Sequence, residues 1–337
     1  MARKSYFLPA LSEFFETYLP KTKGLSANTI RSYKQVFRLL LEYIHAVHGL
    51  RPEKVEFRHL EKGTVEAWLN WLCTDRDCST KTRNHRLSVL VTFARFALYR
   101  DFGGALVLCS EVEHLPKKKA VKRSEAVHFT REEMSILLRI PSSNRKIEIR
   151  DKVVLSTLYA SGARAQELCD LTVGDMRFGT TSTLTLHGKG NKTRTIVIPV
   201  QSATLLKTYV EKNRLNGGDP LRHVFSSQTN EHMTISCLEA IVKKYVLKAK
   251  KLRPDLFREH YTPHSFRHSI AYHMLESGIP LPAIKTFLGH ELISTTMIYA
   301  SANYELVNKY LRNFNPYAEQ DAVFDQSHNS IIPNFLK

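Results

Sequence analysis

The residues best suited to chemistry lie between positions 164 and 299. They are two arginines, a lysine, two histidines and a tyrosine, namely Arg164, Lys189, His264, Arg267, His290 and Tyr299. A guanidinium group binds two phosphate oxygens at once and keeps its charge at any ordinary pH. Histidine and lysine can transfer protons, and a tyrosine hydroxyl can act as a nucleophile. The combination suits phosphoryl transfer without a metal ion.

Each of these residues also has an ordinary structural interpretation. An arginine that follows a helix break is usually on the surface, and a Gly188-Lys189-Gly190 segment is usually only a turn. The neighbouring His264, His268 and His273 could indicate a metal site, but no carboxylate or cysteine set accompanies them. Zinc therefore ranks below phosphate binding. The joint occurrence of the residues favours phosphoryl transfer.

The charge of the chain predicts a polyanionic partner. The 337 residues include 49 lysines and arginines against 32 acidic residues, a formal net charge of +17. This excess favours nucleic acid ahead of a membrane surface, with a generic basic protein as the alternative. The length is sufficient for two domains with cores of their own. A hydrophobic content of 43% indicates a folded chain rather than a disordered one.

The cysteine pattern and the hydropathy of the chain indicate its cellular compartment. The five cysteines form no C-x-x-C pair, which argues against a zinc framework, and their odd number argues against a secreted disulfide scaffold. No run approaches the roughly 20 apolar residues of a membrane span, and no signal-peptide pattern opens the chain. We therefore expect a cytoplasmic protein without a membrane partner.

Residues 1–112 are predicted to form a small helical domain. Apolar residues such as Ile30, Tyr33 and Phe37 recur at helical spacing, and lysines and arginines lie between them. A basic helix face is most often only a solvated surface, but four helices of the same sign favour contact with DNA. The candidates for DNA contact in this domain are Arg31, Lys34, Lys81, Arg83 and Arg86.

Residues 113–127 are predicted to be an interdomain linker. The segment is poor in apolar residues and dense in positive charge, including Lys117, Lys118 and Lys119. It could be a simple tether, and its charge would also suit a path along a phosphate backbone. We count its three lysines among the candidates for DNA contact.

Residues 128–316 are predicted to form a second, mixed domain. Thr130-Arg131-Glu132-Glu133 has the pattern of a capping box, and a helix is expected from about Ile147 to Tyr159. Two strands, Thr183–Leu186 and Thr195–Ile198, flank a turn at 188–192, which includes Lys192 as a further candidate for DNA contact. Most of the remainder has helical spacing. The predicted fold class is mainly α with a small β-hairpin or sheet.

Five short motifs in the second domain together resemble the tyrosine recombinases, also called the phage integrase family. In chain order they are Ser161-Gly162-Ala163-Arg164-Ala165-Gln166-Glu167-Leu168, Gly188-Lys189-Gly190, Thr262-Pro263-His264-Ser265-Phe266-Arg267-His268, Leu288-Gly289-His290 and Thr295-Thr296-Met297-Ile298-Tyr299. Each motif is weak alone, but their order and the nine positions from His290 to Tyr299 make the resemblance specific. Residues 1–112 are similar to the family's core-binding domain in character rather than in motif.

The resemblance implies a role for each candidate residue. Arg164 and Arg267 would bind the non-bridging oxygens of the scissile phosphate, and Tyr299 would attack phosphorus. His264 would accept the tyrosine proton or donate to the phosphate, with His290 as a second donor. Lys189 would protonate the departing 5′ oxygen. Two further residues would support the site: Glu167, which would orient its neighbours, and His268, which would support its helix.

The resemblance also implies an activity. A core-binding domain and a catalytic domain would form a clamp on double-stranded DNA, and no cofactor would be needed. We expect a site-specific recombinase or integrase that works through a 3′-phosphotyrosine, as a tetramer on two duplexes, at the bacterial nucleoid. DNA integration or transposition is the preferred interpretation. The alternatives are a dimer-resolving recombinase, a type IB-like topoisomerase and a non-catalytic DNA-binding regulator.

Residues 317–337 are predicted to be a separate C-terminal tail. A polar stretch leads to an apolar cluster that includes Ile331, Ile332 and Phe335. The cluster could pack on its own domain, or a tethered apolar end could bind a groove on a neighbouring protomer. The resemblance favours such an exchange between protomers.

Overall fold

The computed structural model describes residues 6–119, 126–188, 190, 192–215, 217–292 and 296–297. These residues form two compact units, one within Met1–Lys122 and the other within Arg123–Lys337. The division falls inside the segment 113–127. Lys189, Tyr299 and the tail 317–337 lie outside the described residues.

The first unit is helical. Its helices are α1 (Phe7–Glu13), which continues as a π-helical stretch over Phe14–Thr22, then α2 (Ala27–His48), α3 (Lys62–Thr74), α4 (Thr80–Leu98) and α5 (Phe102–Glu113), with short 3-10 turns at Pro52–Lys54 and Phe57–Leu60. Ser26 caps α2 by accepting a hydrogen bond from the backbone N–H of Thr29. Gly49 ends α2 in the left-handed conformation, with φ +65°.

Phenylalanine rings form the centre of the first unit. The Phe93 ring lies 4.9 Å from the Phe37 ring and 5.3 Å from the Phe14 ring, both in edge-on geometry. Phe7 also meets Phe93 edge-on, at 5.7 Å. Each such pair is worth about 0.5–1.5 kcal/mol beyond simple area burial. The rings thereby join α1, its π-helical continuation, α2 and α4.

The second unit combines helices with a small sheet. Its elements are α6 (Arg131–Arg139), α7 (Lys146–Ser161), α8 (Ala165–Cys169), β1 (Met176–Arg177), β2 (Thr183–Gly188), β3 (Lys192–Val197), α9 (Val200–Lys212), α10 (Ile235–Leu252), α11 (Pro263–Glu276) and α12 (Leu281–Leu288). The three strands are antiparallel in the order β1-β2-β3. The register pairs Leu186 with Arg194 and Gly188 with Lys192, so the β2–β3 hairpin ends at the predicted turn.

Two local signals set the framework of the second unit. The capping box before α6 is confirmed, because Thr130 Oγ1 accepts from the Glu133 N–H at 3.2 Å and a Glu133 oxygen accepts from the Thr130 N–H at 2.7 Å. Gly162 ends α7 with φ +56°. A Cβ at Gly162 would lie 3.0 Å from Leu288 Cδ2, so the end of α12 approaches this turn closely. The approach brings the residues after Gly162 near those after Leu288.

The fold is mainly helical with one three-stranded sheet, which confirms the predicted fold class. In the second unit, α7 is central, with Val153, Val154, Leu155 and Leu158 completely buried. Among the helices in the described ranges, none is both long enough and apolar enough to cross a membrane.

Candidate active site

Arg164 lies where the chain turns from α7 into α8. It is the N-cap residue of α8, and its backbone N–H donates to Glu167 Oε2 at 2.8 Å. Its side chain bends back so that Nη1 donates to Glu167 Oε1 at 2.7 Å. The Arg164 side chain is 42% exposed, whereas that of Glu167 is 2% exposed. A buried carboxylate therefore holds a guanidinium that still reaches the surface.

Glu167 has a second arginine partner. Arg194 on β3 donates from Nη1 to Oε1 at 2.9 Å and from Nη2 to Oε2 at 2.7 Å. Burial alone would raise the pKa of Glu167, but the hydrogen bonds from Arg194 and Arg164 outweigh it and lower the pKa to about 2. Glu167 is therefore ionised near pH 7. This agrees with the predicted orienting role, which stays a prediction.

Arg267 is a fully buried arginine at the fifth position of α11, with 1% of its surface exposed. Its Nη1 donates to the carbonyl oxygen of Gly162 at 2.6 Å, and its Nη2 donates to the carbonyl oxygen of Leu288. The side chain thus connects the end of α7, just before Arg164, with the end of α12, just before His290. Its orientation is fixed by backbone groups.

His264 and His268 lie one turn apart on α11, with ring centroids 4.4 Å apart in edge-on geometry. Although His264 as a whole residue is exposed, partial desolvation of its ring, followed by the nearby charges of Arg267 and Arg164, lowers its pKa. Burial and the neighbouring His264 and Arg267 lower the pKa of His268 to about 3. Both rings are therefore neutral near pH 7, and a neutral ring can accept a proton.

His290 follows Gly289, which ends α12 with φ +65°. Its Nδ1 lies 2.9 Å from the hydroxyl oxygen of Thr296, a fully buried residue. Burial, then the charges of Arg267 and Arg164, lower the pKa of His290 to about 4. The bond at Nδ1 fixes the plane of the ring, which leaves Nε2 to face other groups.

The end of the β2–β3 hairpin lies beside Arg164. A Cβ at Gly188 would be 3.2 Å from Glu167 Oε1 and 3.7 Å from Arg164 Nη1. Lys192, which follows the turn, forms an exposed ion pair with Glu291. Lys189 is the next residue after Gly188 in the sequence but lies outside the described residues.

The structure brings together most of the predicted site. The residues that it places in one region are Arg164, Glu167, His264, Arg267, His268 and His290. Tyr299 lies beyond the described residues, although Thr296, three positions earlier, contacts His290. Within the described ranges, no group of three or more His, Cys, Asp and Glu residues could hold a metal ion. The region therefore combines cationic side chains with neutral imidazoles.

The predicted DNA contacts of the first unit differ in exposure. Arg31, Lys34, Lys81 and the three lysines Lys117, Lys118 and Lys119 are exposed. Arg86 is half-buried, and its Nη1 lies 2.9 Å from the Cys78 sulfur. Arg83 is only 4% exposed, and its Nη1 donates to the Pro116 carbonyl at 3.0 Å. Arg83 is therefore not at the surface for DNA contact, because its guanidinium is bound within the unit.

Arg194 is the residue of this region that the sequence motifs do not predict. A signal for it exists in the strand pattern. Ile196, two positions later, is buried, so Arg194 lies on the same inward face of β3. A charged residue on a buried face needs a partner of opposite charge. In this chain that partner is Glu167, which is 27 positions away in the sequence.

The comparisons with known proteins identify the family. Residues 128–305 match the phage integrase family, and residues 12–101 match the phage integrase N-terminal SAM-like domain. The chain belongs to the phage integrase family. It is a tyrosine recombinase, an enzyme that cleaves and rejoins DNA.

Two relatives and one solved structure are especially similar to this tyrosine recombinase. It is 31% identical to tyrosine recombinase XerA of Thermococcus onnurineus (strain NA1), covering 88% of this chain and 92% of the relative. It is 26% identical to the integrase/recombinase y4rC of Sinorhizobium fredii (strain NBRC 101917 / NGR234), covering 98% of each. The crystal structure of the XerH site-specific recombinase bound to palindromic difH substrate, a post-cleavage complex, matches with a TM-score of 0.69. Its identity is 17%, and the match covers 87% of this chain and 81% of that chain. This last likeness concerns the fold.

Proposed function

We propose that this tyrosine recombinase exchanges strands between two DNA duplexes at specific sites, through a 3′-phosphotyrosyl intermediate at Tyr299. The observation that carries the proposal is the convergence of two arginines, Arg164 and Arg267, with two neutral histidines, His264 and His290. Fixed positive charge beside uncharged imidazole is suited to a phosphodiester whose charge increases during attack. The exposed part of the Arg164 side chain is available to such a phosphate.

In the proposed cleavage step, Arg164 and Arg267 hold the non-bridging oxygens of the scissile phosphate. The Tyr299 hydroxyl has an ordinary pKa near 10, so its proton must leave as its oxygen attacks phosphorus. His264 is neutral near pH 7 and accepts this proton. The P–O bond to the 5′ oxygen breaks, and the departing oxygen takes a proton from Lys189. The products are a 3′-phosphotyrosine and a free 5′-hydroxyl.

Three further groups support this step in the proposal. If the Thr296 hydroxyl donates to Nδ1 of His290, the ring proton lies on Nε2, and in the proposal this N–H donates to the phosphate. Glu167 orients Arg164 through the two bonds described above. His268 supports His264 by ring contact. Rejoining is the reverse reaction with the 5′-hydroxyl of the partner duplex, so the phosphotyrosine conserves the bond energy and no ATP is required.

The proposed substrate is double-stranded DNA that carries specific recombination sites. The net charge of +17 and the exposed lysines and arginines of the first unit support contact with phosphates. We propose that four protomers act on two duplexes, that residues 317–337 pass between protomers, and that the enzyme works in the cytoplasm at the nucleoid. The proposed functional boundaries are residues 1–112 for DNA binding, 113–127 for the linker and 128–316 for catalysis.

The proposed biological role is integration or transposition of a mobile element. It is supported by the similarity to the integrase/recombinase y4rC, which extends over 98% of both chains. Resolution of DNA dimers is the second candidate, because it would need the same site-specific cleavage and joining of two duplexes. The two roles use the same chemistry and differ in the DNA sites that are paired.

The central test traps the covalent intermediate. A suicide duplex carries a nick close to the cleavage point, so the short 5′-hydroxyl fragment diffuses away and rejoining cannot occur. Site sequences are first obtained by sequencing DNA that becomes covalently attached to the enzyme. The wild type should form an SDS-resistant adduct through the 3′ phosphate, also in EDTA, and Tyr299→Phe should bind the duplex but form none. An adduct with the Phe variant would mean that the nucleophile is Tyr304 or Tyr310 rather than Tyr299.

Assays on paired sites then separate the roles. Recombination between an element end and a second site supports integration, whereas excision between two identical sites supports dimer resolution. Relaxation of supercoiled DNA by a monomer, without paired sites, would instead support a type IB-like topoisomerase.

A further inference from the structure

Arg194 connects three parts of the candidate site. It lies on β3, the strand that follows the hairpin turn. Its two terminal nitrogens bind the two oxygens of Glu167, at 2.9 and 2.7 Å. Its Nε donates to the carbonyl oxygen of Phe287, near the end of α12, at 3.1 Å. The side chain is 12% exposed, so these bonds form largely out of contact with water.

The backbone at the end of α12 is shaped to admit this arginine. A Cβ at Gly289 would lie 2.8 Å from Arg194 Cδ and 3.3 Å from its Nε and Nη1. Any other residue at position 289 would also be strained by the φ of +65°. Gly289 therefore allows the guanidinium to lie directly against the peptide that precedes His290.

The charges around Glu167 suggest why a second arginine is needed. Glu167 accepts from Arg164 and Arg194 together, so the three side chains carry one net positive charge. If Arg194 were absent, Arg164 alone would neutralise the buried carboxylate. The Arg164 guanidinium would then be drawn toward Glu167 and would have little charge left for a phosphate.

We propose that Arg194 is a positioning residue that neutralises Glu167, so that Arg164 keeps its charge and its orientation for the scissile phosphate. The inference rests on the proposed function, in which Arg164 binds that phosphate. The three guanidinium nitrogens of Arg194 bind Glu167 and the Phe287 carbonyl, so the proposed role requires no contact of Arg194 with the reacting atoms. Its effect on catalysis passes through Glu167 and Arg164.

A purely structural role is the competing explanation, and the chain offers a matched control. Arg150 binds Asp151 in the same unit, with side chains 12% and 1% exposed, against 12% and 2% for Arg194 and Glu167. Arg150→Met therefore breaks a pair of equal burial away from the candidate site. Both Arg150→Met and Arg194→Met should lower the melting temperature.

The first measurement is single-turnover cleavage of the suicide duplex at saturating enzyme. Arg194→Met should slow cleavage by about 10–100-fold, by analogy with the loss of a residue that orients a metal ligand. Arg150→Met should cleave near the wild-type rate. Equal slowing by both variants would overturn the proposal in favour of a general loss of stability. Arg194→Lys retains the charge without the two-point geometry and is used if the Met variant does not fold.

The second measurement is a suppressor test. Glu167→Gln removes the buried negative charge, so Arg164 regains its surplus charge even without Arg194. The double variant Arg194→Met/Glu167→Gln should therefore cleave faster than Arg194→Met alone. If the second substitution brings no recovery, the electrostatic route through Glu167 is wrong.

The third measurement changes the substrate. A methylphosphonate at the scissile position lacks one negative charge, so the reaction depends less on the charge of Arg164. The defects of Arg194→Met and Arg164→Ala should both shrink on this substrate. A defect of Arg194→Met that is the same on both substrates would contradict the proposal.

Arg164→Ala distinguishes a failure of the proposed function from a failure of the positioning role of Arg194. If it cleaves the ordinary duplex at the wild-type rate, the proposed function of Arg164 fails. If it is slow while Arg194→Met is not, the proposed function stands and only the positioning role of Arg194 is wrong.

Discussion

The two compact units bury different kinds of side chain. In the first, Phe14, Phe37 and Phe93 meet ring against ring at the centre. Arg83 is the single buried polar or charged side chain among its described residues. The described part of the second unit buries ten such side chains: Glu133, Asp151, Thr157, Ser161, Glu167, Ser265, Arg267, Ser269, His273 and Thr296. One unit is held mainly by apolar contact, and the other also by oriented polar contacts.

The difference follows from what each unit has to hold in place. A buried charge costs several kcal/mol unless it is paired and hydrogen-bonded. A unit that offers basic side chains at its surface has no need of such charges. In the proposed function, the second unit fixes guanidiniums and imidazoles around one phosphate, and it therefore buries some of them with their partners. Burial alone does not mark a catalytic group, because His273 is also buried, with Tyr159 and the Phe129 carbonyl as ordinary partners.

The largest expected effect is at Arg267. Arg267→Ala removes a buried donor that should face the scissile phosphate, and cleavage should slow by about 10²–10³-fold. The measurement is single-turnover cleavage at saturating enzyme, where weak binding does not limit the rate. The double variant Arg31→Ala/Lys34→Ala, in the first unit, is the control. This double variant should weaken DNA binding but cleave near the wild-type rate once bound. If both variants slowed cleavage to a comparable extent, the two units would not differ in their roles.

The second effect compares two helix-ending glycines, one in each unit. Gly162→Ala combines left-handed strain with contacts of 3.0–3.2 Å to Leu288, Ile270 and Phe287, and should cost about 2–4 kcal/mol of stability. Gly49→Ala has the same strain but open space around it, and should cost about 1–2 kcal/mol. Denaturant titration measures both.

Cleavage should distinguish the same two variants more sharply. The Gly162 carbonyl binds Arg267, so its displacement should slow cleavage in Gly162→Ala. Gly49→Ala should leave cleavage unchanged. Equal losses of stability, or normal cleavage by Gly162→Ala, would mean that the turn does not position the site.

The third effect concerns acid. The pKa values of His290 and His268 are lowered to about 4 and about 3, against an ordinary value of 6.5. Between about pH 6.5 and pH 4, the unfolded chain therefore binds protons that the folded chain does not. Stability is fully present above pH 6.5 and falls with decreasing pH, by up to about 1.4 kcal/mol per pH unit for each such histidine.

Denaturant titrations at pH 7, 6 and 5 test this slope. His268→Gln removes one of the two groups and should flatten the dependence. The pKa of Glu167, lowered to about 2, adds a further loss only below about pH 4.5. A stability that stays constant from pH 7 to pH 5 would contradict the half-buried, neutral state of both rings.

Signals that are local in sequence predicted much of this fold. The capping box of Thr130 with Glu133 is read within four residues, and it forms as expected. The strand β1 was not predicted, because two residues are too few to show an alternating pattern. Its pairing with β2 depends on residues about seven positions away. Local patterns therefore gave the elements more reliably than their pairing.

The candidate site shows the same division. The types and order of Arg164, His264, Arg267 and His290 indicated a phosphate site, and the structure places these side chains in one region. The contact of Arg194 with Glu167 could not be read from the motifs, since it requires the strand register and the turn after α7 together. Similarly, Arg83 is a basic residue like the exposed Lys81 two positions earlier, and only its hydrogen bond to the Pro116 carbonyl shows that its guanidinium lies within the unit.

The smallest expected effect compares the exposed Lys81 with the buried Arg83, which lie two positions apart on α4. Lys81 is exposed and Arg83 is buried. If Lys81 contacts a phosphate, Lys81→Ala should reduce the slope of log affinity against log salt by about 0.9, the value for one phosphate contact on duplex DNA. Arg83→Met should leave the slope unchanged and lower the melting temperature, because its guanidinium binds the Pro116 carbonyl. Binding is measured from low to moderate salt with the same duplex. A lower slope for Arg83→Met would mean that Arg83 leaves its buried position to contact DNA, and its burial would then not distinguish it from Lys81.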